Sequence, residues 1–228
     1  MYNKSILITG STKGLGKELA LQFAKKGYNI IITGRNEENL QSVEKEIKLL
    51  GRKCYKVKGD IRQAKTREDL IKMTDSLLTE SVILNAGLDI NGKFSELSEE
   101  QVEEIISINY LSSILLARQF YKKFSLRREG SIIAINSISG LEIQKARVIY
   151  CSTKWGLRAF ITALREEAKG TNVSIFSIFP SRIRTKPEFT FGMLPSYAAE
   201  KIVEHYLSGS KEDLILDDRP PEFRKKGA

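Results

Sequence analysis

One histidine, 2 cysteines, 1 tryptophan and 5 prolines in 228 residues exclude several chemistries at the outset. With His205 as the sole imidazole, a multi-histidine zinc site is excluded and a Ser-His-Asp triad has almost nothing to be built from. Cys54 and Cys151 share no CxxC or metal-ligand spacing, so reduced thiols are expected, with no disulfide framework and no metal. The prolines gather in the C-terminal third, and no Pro/Gly/Ser linker, internal repeat or low-complexity stretch divides the chain. No uncharged apolar run approaches the ~18 to 20 residues of a membrane span. The apolar stretch after Met1-Tyr2-Asn3-Lys4 is too short for a signal peptide, so a cytoplasmic protein is expected.

What is present describes a globular chain, 41% hydrophobic and 29% charged, able to bury one sizeable core. The formal net charge is +9. Most basic residues stand in separate pairs such as Lys25-Lys26 and Arg127-Arg128, interleaved with acids, and only Arg224-Lys225-Lys226 is compact. This reads as a solvated surface, with no nucleic acid and no membrane as partner.

Short apolar, β-branched runs recur at Ile6–Thr9, Ile30–Thr33, Tyr55–Val57, Val82–Leu84, Ile132–Ile135, Val173–Phe179 and Leu214–Leu216. Between them lie helix-length segments near 14–27, 36–50, 66–79, 98–124, 148–169 and 196–208. Continuous apolar strands separated by helices indicate successive βαβ units. The expected fold is α/β, a doubly wound parallel sheet of seven strands, one domain over residues 1–228.

The first strand runs into Gly10-Ser11-Thr12-Lys13-Gly14-Leu15-Gly16 and then a helix. Glycines here allow a tight turn and close approach to a pyrophosphate, and the helix N-terminus offers free N–H groups. An NAD site also asks for a carboxylate about 20 residues on, at the tip of the second strand. This chain reads Thr33-Gly34-Arg35-Asn36 there. Arg35, with Lys13 as a second cation, favours a 2′-phosphate and hence NADP(H).

Tyr150 and Lys154 are four apart on a helical segment and therefore share a face. An adjacent ammonium is expected to lower the phenol pKa toward the range of a general acid or base. Ser137 follows the fifth strand, where ligands bind in open parallel sheets.

The glycine spacing, Ser137, the Tyr-x3-Lys pair, Asn85-Ala86-Gly87 after the fourth strand, Asn109 in the long helix and Asp60 after the third strand together resemble the short-chain dehydrogenase/reductase family, over about residues 4–216. The resemblance is to carbonyl reductases and 3-oxoacyl reductases alike, and implies a Rossmann fold. It implies that Tyr150 exchanges the proton, Ser137 binds the substrate oxygen, Lys154 holds the nicotinamide ribose and Asn109 holds a water linking Lys154 to solvent. Asp60 and Ile61 would meet the adenine, and Asn85, Ala86 and Gly87 would line the cofactor cleft. Pro180, Ser181, Ile183 and Thr185 would flank the nicotinamide, with Ser181 standing where the family usually has glycine. A serine side chain there threatens to crowd the ring. The implied activity is interconversion of a small-molecule carbonyl and its alcohol, in a homodimer or homotetramer. A binding or sensor protein of the same fold is the rival.

The segment Lys186–Pro195 is short for a lid, and Phe189, Phe191, Met193 and Leu194 could line a pocket or pack. The loop Leu141–Arg147 carries charges of no clear shape. Cys151 reads as a packed residue and His205 as structural or exposed. Ketones, aldehydes, diketones, acyl thioesters, sugars and steroids all remain open as substrates.

Overall fold

The computed structural model describes residues 4–185 and 190–224. In chain order the elements are β1 (Lys4–Ile8), α1 (Gly14–Lys25), β2 (Asn29–Gly34), α2 (Glu37–Leu49), β3 (Cys54–Lys58), α3 (Ala64–Asp75), β4 (Leu78–Leu84), α4 (Glu99–Ile106), α5 (Ser112–Arg127), β5 (Gly130–Ile135), α6 (Val148–Glu167), β6 (Val173–Pro180), α7 (Pro195–Leu207) and β7 (Leu214–Leu216). The strands form one parallel seven-stranded sheet in the order β3-β2-β1-β4-β5-β6-β7. The order reverses between β1 and β4, which opens a crevice at their carboxyl ends.

The apolar runs are continuous because both faces of the sheet are covered. Ile6 and Ile8 of β1 pack with Leu19 and Phe23 of α1, Leu40 of α2 and Ile202 of α7. Leu7, between them, points the other way into a core with Leu70 of α3, Phe120 of α5 and Leu157 of α6. β5 divides in the same manner, Ile133 and Ile135 to one face and Ile132 and Ala134 to the other. Phe23, Phe120 and Phe124 are fully buried, and truncating any of them to alanine should cost about 3–5 kcal/mol.

Two boundaries differ from the sequence reading. The third helix stops at Asp75, and β4 begins at Leu78, inside the span expected to be helical. The first residues of β4 are polar because they face partners: Thr79 bonds Ser5 across β1 with their hydroxyls 3.0 Å apart. The long helix expected over 98–124 starts at Glu99 behind a Ser98/Gln101 capping box and runs on to Arg127. It is interrupted by a π turn at Ser107–Leu111, where Ser112 N–H bonds Ser107 O in place of Ile108 O. The Ser112 hydroxyl reclaims the bypassed Ile108 carbonyl at 2.8 Å. Such turns concentrate at functional sites, and this one contains Asn109. Among the described residues, no helix is long and apolar enough to cross a membrane.

Candidate active site

The crevice is built by locking the ends of β1 and β4 together. Asn85 Nδ2 donates to Thr9 O at 2.8 Å and to Gly10 O at 3.1 Å. Thr9 Oγ1 accepts the Asn85 and Ala86 N–H groups, each at 2.9 Å. Gly10 has φ +63, and a Cβ there would stand 3.0 Å from Ala86 Cα. Gly16 is required for a different reason: its Cβ would fall 2.3 Å from Gly10 O and 2.4 Å from Asn85 Nδ2. Glycine alone therefore lets α1 reach the turn.

Lys13, in extended conformation, precedes α1, which has no capping side chain and no acid in its first turn. The free N–H groups of Gly14, Leu15 and Gly16 are left at the crevice, where an anion would satisfy them. Ser11 is committed elsewhere; its hydroxyl donates to Ile8 O at 2.9 Å and accepts Thr33 N–H at 3.1 Å. Thr12 fills the space beside Gly34, whose Cβ would meet Thr12 Cγ2 at 2.4 Å. Lys13 and Arg35, one residue beyond each, thus leave the same corner, both exposed and, among the described residues, without an ion-pair partner. Asp60 is held by Arg62, with Oδ2 2.6 Å from Nη2, which keeps its carboxyl below the ordinary range; Ile61 beside it is buried. Thr185 closes the opposite wall, its Cγ2 2.9 Å from where a Gly14 Cβ would sit. Ile183 bridges to Met193 behind it.

Ser137, Tyr150 and Lys154 come together beyond this crevice. The Ser137 hydroxyl faces the Tyr150 phenol and favours its ionised form. Ser137 Oγ also accepts Ser139 N–H at 3.1 Å, leaving its proton for the phenol oxygen. Lys154 is buried, its Nζ donating to Ile135 O at 2.9 Å and lying 5.7 Å from the Tyr150 ring centroid. The expected lowering of the phenol is not found. Burial pushes Tyr150 up to about 12 and Lys154 down to about 8, because desolvation penalises the charged form of each and is the largest influence on both. Asn109 is buried too, accepting Leu88 N–H at 2.7 Å and donating to Leu88 O at 2.8 Å and to Thr153 Oγ1 at 3.3 Å. It joins the π turn to the strand-end loop that contains Gly87 and to α6.

Two residues at this site escaped the sequence reading. Arg147 Cζ stands 4.6 Å from the Tyr150 ring centroid, and its guanidinium pairs with Asp89. Arg147 lies three residues before Tyr150, one helical turn away, a signal available in the sequence. Asp89 carried no comparable signal.

Ser181 does not crowd the crevice. Its hydroxyl turns away to donate to the Asp218 carboxylate, and its N–H bonds Leu216 O at 2.7 Å. Pro180 closes β6 just before it. Met193 is buried in the core, while Phe191 is exposed with Arg182 4.3 Å over its ring and Leu194 is exposed as well. Phe189 and the basic residues Lys225 and Lys226 lie outside the described residues. Cys151 is buried and bonded to Gln144, and His205 bonds Glu212 O at 2.8 Å, far along α7. Among the described residues, no group of three or more His, Cys, Asp or Glu could hold a metal ion.

Comparison with known proteins follows the same lines. The family model described as short chain dehydrogenase matches residues 4–189. An uncharacterized oxidoreductase of Listeria monocytogenes is 30% identical over 188 residues, 81% of this chain and 76% of its own length. A diacetyl reductase of Staphylococcus epidermidis, (S)-acetoin forming, is 30% identical over 190 residues, 81% of this chain and 73% of its own. An alcohol dehydrogenase from the archaeon Thermococcus sibiricus, solved with 5-hydroxy-NADP, superposes with a TM-score of 0.86 at 26% identity, covering 95% of this chain and 98% of that one. A parallel sheet reversing at β1 and β4, a glycine turn at that point and this breadth of match have one reading: the chain belongs to the short-chain dehydrogenase family, oxidoreductases of carbonyl and alcohol groups.

Proposed function

We propose that residues 1–228 act as one NADP(H)-binding domain that interconverts a carbonyl and a primary or secondary alcohol, with Ser137, Tyr150, Lys154 and Asn109 at the active site. The observation that carries this is a buried Lys154 with its Nζ 5.7 Å from the centre of the Tyr150 ring, beside the Ser137 hydroxyl. When bound, the nicotinamide cofactor supplies or accepts the hydride.

The chain's own groups do the rest. Gly10 to Gly16 and the uncapped start of α1 would hold the pyrophosphate, Lys13 and Arg35 the 2′-phosphate, and Asp60 and Ile61 the adenine. Asn85, Ala86 and Gly87 would line the middle of the crevice, and Pro180, Ser181, Ile183 and Thr185 its nicotinamide end. Two hydroxyls converging on one point can grip a single substrate oxygen: Ser137 donates to it while Tyr150 delivers its proton in reduction or takes one in oxidation. Lys154 supplies the positive charge that a phenolate needs beside it. Asn109 keeps the π turn against Leu88 and Thr153, holding a water path to Lys154 open to solvent. The diacetyl reductase among the relatives and the NADP analogue on the Thermococcus enzyme support a small carbonyl substrate and NADP(H). We place the protein in the cytoplasm as a homodimer or homotetramer.

The test is fluorescence titration with NADPH and with NADH, using Arg35→Asp as control, followed by a panel of carbonyl substrates. NADPH should bind more tightly, and Arg35→Asp should remove that preference. Tyr150→Phe should retain NADPH binding and lose about 100-fold or more in turnover. Equal binding of NADH would overturn the cofactor reading; binding without turnover of any substrate would make the protein a nucleotide-binding sensor.

A further inference from the structure

We infer that Arg147 and Asp89 are a positioning pair for Tyr150, fixing its ring and balancing the charge it takes on during proton transfer. The inference rests on the proposed catalytic role of Tyr150.

The pair is assembled from two loops that meet on one side of the tyrosine. Arg147 ends the loop before α6, and Asp89 lies in the loop after β4, 58 residues away in sequence. The same loops are joined beside the pair by the backbone, Gly92 N–H donating to Ala146 O at 3.0 Å. Ala146 adopts φ +60, a left-handed conformation that strains a non-glycine residue. That strain sits next to Arg147 and delivers its side chain over the phenol ring, and further contacts to Gln144 and Ser139 Oγ (3.5 Å) hold the guanidinium in place.

The arrangement is poorly explained as a surface ion pair. The two side chains are only 20% and 33% exposed. Arg147 Nε and Asp89 Oδ1 are buried and, among the described residues, have no hydrogen-bond partner. Enclosed ion pairs with orphaned atoms are often no better for stability than apolar residues of the same volume. A cation against the ring face, by contrast, does something an apolar side chain cannot: it favours the phenolate over the phenol.

The charged and titratable groups around Tyr150 come from several elements. Lys154 and Cys151 lie on α6, Arg147 stands at its N-terminal end and Asp89 on the loop after β4, while Ser137 contributes a hydroxyl from the end of β5. Arg147 lowers and Asp89 raises the cost of deprotonating the phenol, so the pair leaves a near-neutral background. When Tyr150 gives its proton to a carbonyl oxygen, the phenolate left behind faces Lys154 and Arg147 together.

The experiment measures the pH profile of alcohol oxidation with NADP+ in Arg147→Met, Asp89→Asn, the double variant and Arg147→Lys. Arg147→Met should raise the acid-limb midpoint by between about 0.5 and 1.5 pH units, and Asp89→Asn should lower it. The double variant should return near the starting value, and Arg147→Lys, which keeps the charge, should recover most of the shift. Midpoints that stay put, or that move in one direction in both single variants, overturn the inference even where thermal stability falls. Ultraviolet titration of the tyrosinate band, taken against a Tyr150→Phe background and with the fold followed by circular dichroism, reads the same shifts without turnover. Opposite shifts there uphold the pair even if no alcohol is oxidised; unshifted titration overturns it. If Arg147→Met does not fold, Asp89→Asn decides alone: a lowered midpoint upholds the pair and an unmoved one overturns it.

Discussion

Arg219 grips Glu142 with both terminal nitrogens, Nη1 to Oε2 and Nη2 to Oε1 at 3.0 Å each. The segment after β7 is thereby clasped to the loop that leads into α6. Arg219 also holds Asp217 through Nε at 2.8 Å and Nη2 at 2.7 Å, and Asp218 next to it accepts the Ser181 hydroxyl. One short stretch, Asp217–Arg219, therefore ties down the loop before the tyrosine helix and the turn after β6.

Both carboxylates of the clasp are largely enclosed, so a double-mutant cycle of Arg219→Met and Glu142→Gln, followed by urea unfolding, should return a coupling of about 1–3 kcal/mol. Its pH dependence has a definite sign. Arg219 holds the Asp217 carboxyl below its ordinary value. A depressed folded-state value contributes stability above the unfolded value of about 3.9 and loses it as pH falls through the folded one. Acid unfolding should accordingly begin at higher pH in Arg219→Met than in the parent chain. Coincident acid transitions would show that the clasp adds nothing.

Lys154 is also depressed, but here the charged form carries a penalty where that of Asp217 carries a gain. Burial lowers its ammonium from 10.5 to about 8, so the folded state binds fewer protons than the unfolded chain between those values. Below pH 8 the full penalty of a buried charge is present; it fades as pH rises toward 10.5. Lys154→Met should therefore be more stable than the parent at pH 7, by an amount on the order of 3 kcal/mol at most. The advantage should shrink on going to pH 10. Urea unfolding at the two pH values checks both the sign and the trend, and a variant less stable at pH 7 would mean that the bond to Ile135 O outweighs the burial.

Gly16→Ala tests the crevice itself. With Gly10 O 2.3 Å from the new methyl carbon, backbone has to move, and the Asn85 clamp moves with it. Overpacking of this kind costs about 1–3 kcal/mol. NADPH affinity should fall by about 10-fold or more while far-ultraviolet circular dichroism is retained, since the turn, and not the sheet, absorbs the displacement.

Much of this was legible in the sequence because it is local. The seven strand positions followed from short apolar runs, the glycine turn from its place between β1 and α1, and the Tyr150–Lys154 pairing from helical periodicity. β4 was misread at its start because Thr79, Glu80 and Ser81 are polar, and only their cross-strand partners explain them: Thr79 meets Ser5, Glu80 meets Lys4, and Ser81 meets Tyr206 at 2.8 Å.

The sequence by itself determined the order of elements, the family likeness and the residues that share one helix face, because spacing along a regular backbone sets direction. Tertiary structure alone decided whether those groups are wet or dry, and hence that Tyr150 is raised and not lowered. It alone decided that Ser181 turns its hydroxyl to Asp218, and that Asp89 reaches Arg147 across 58 residues. Desolvation and long-range pairing depend on how loops close over the sheet, and no periodicity in the chain encodes that closure.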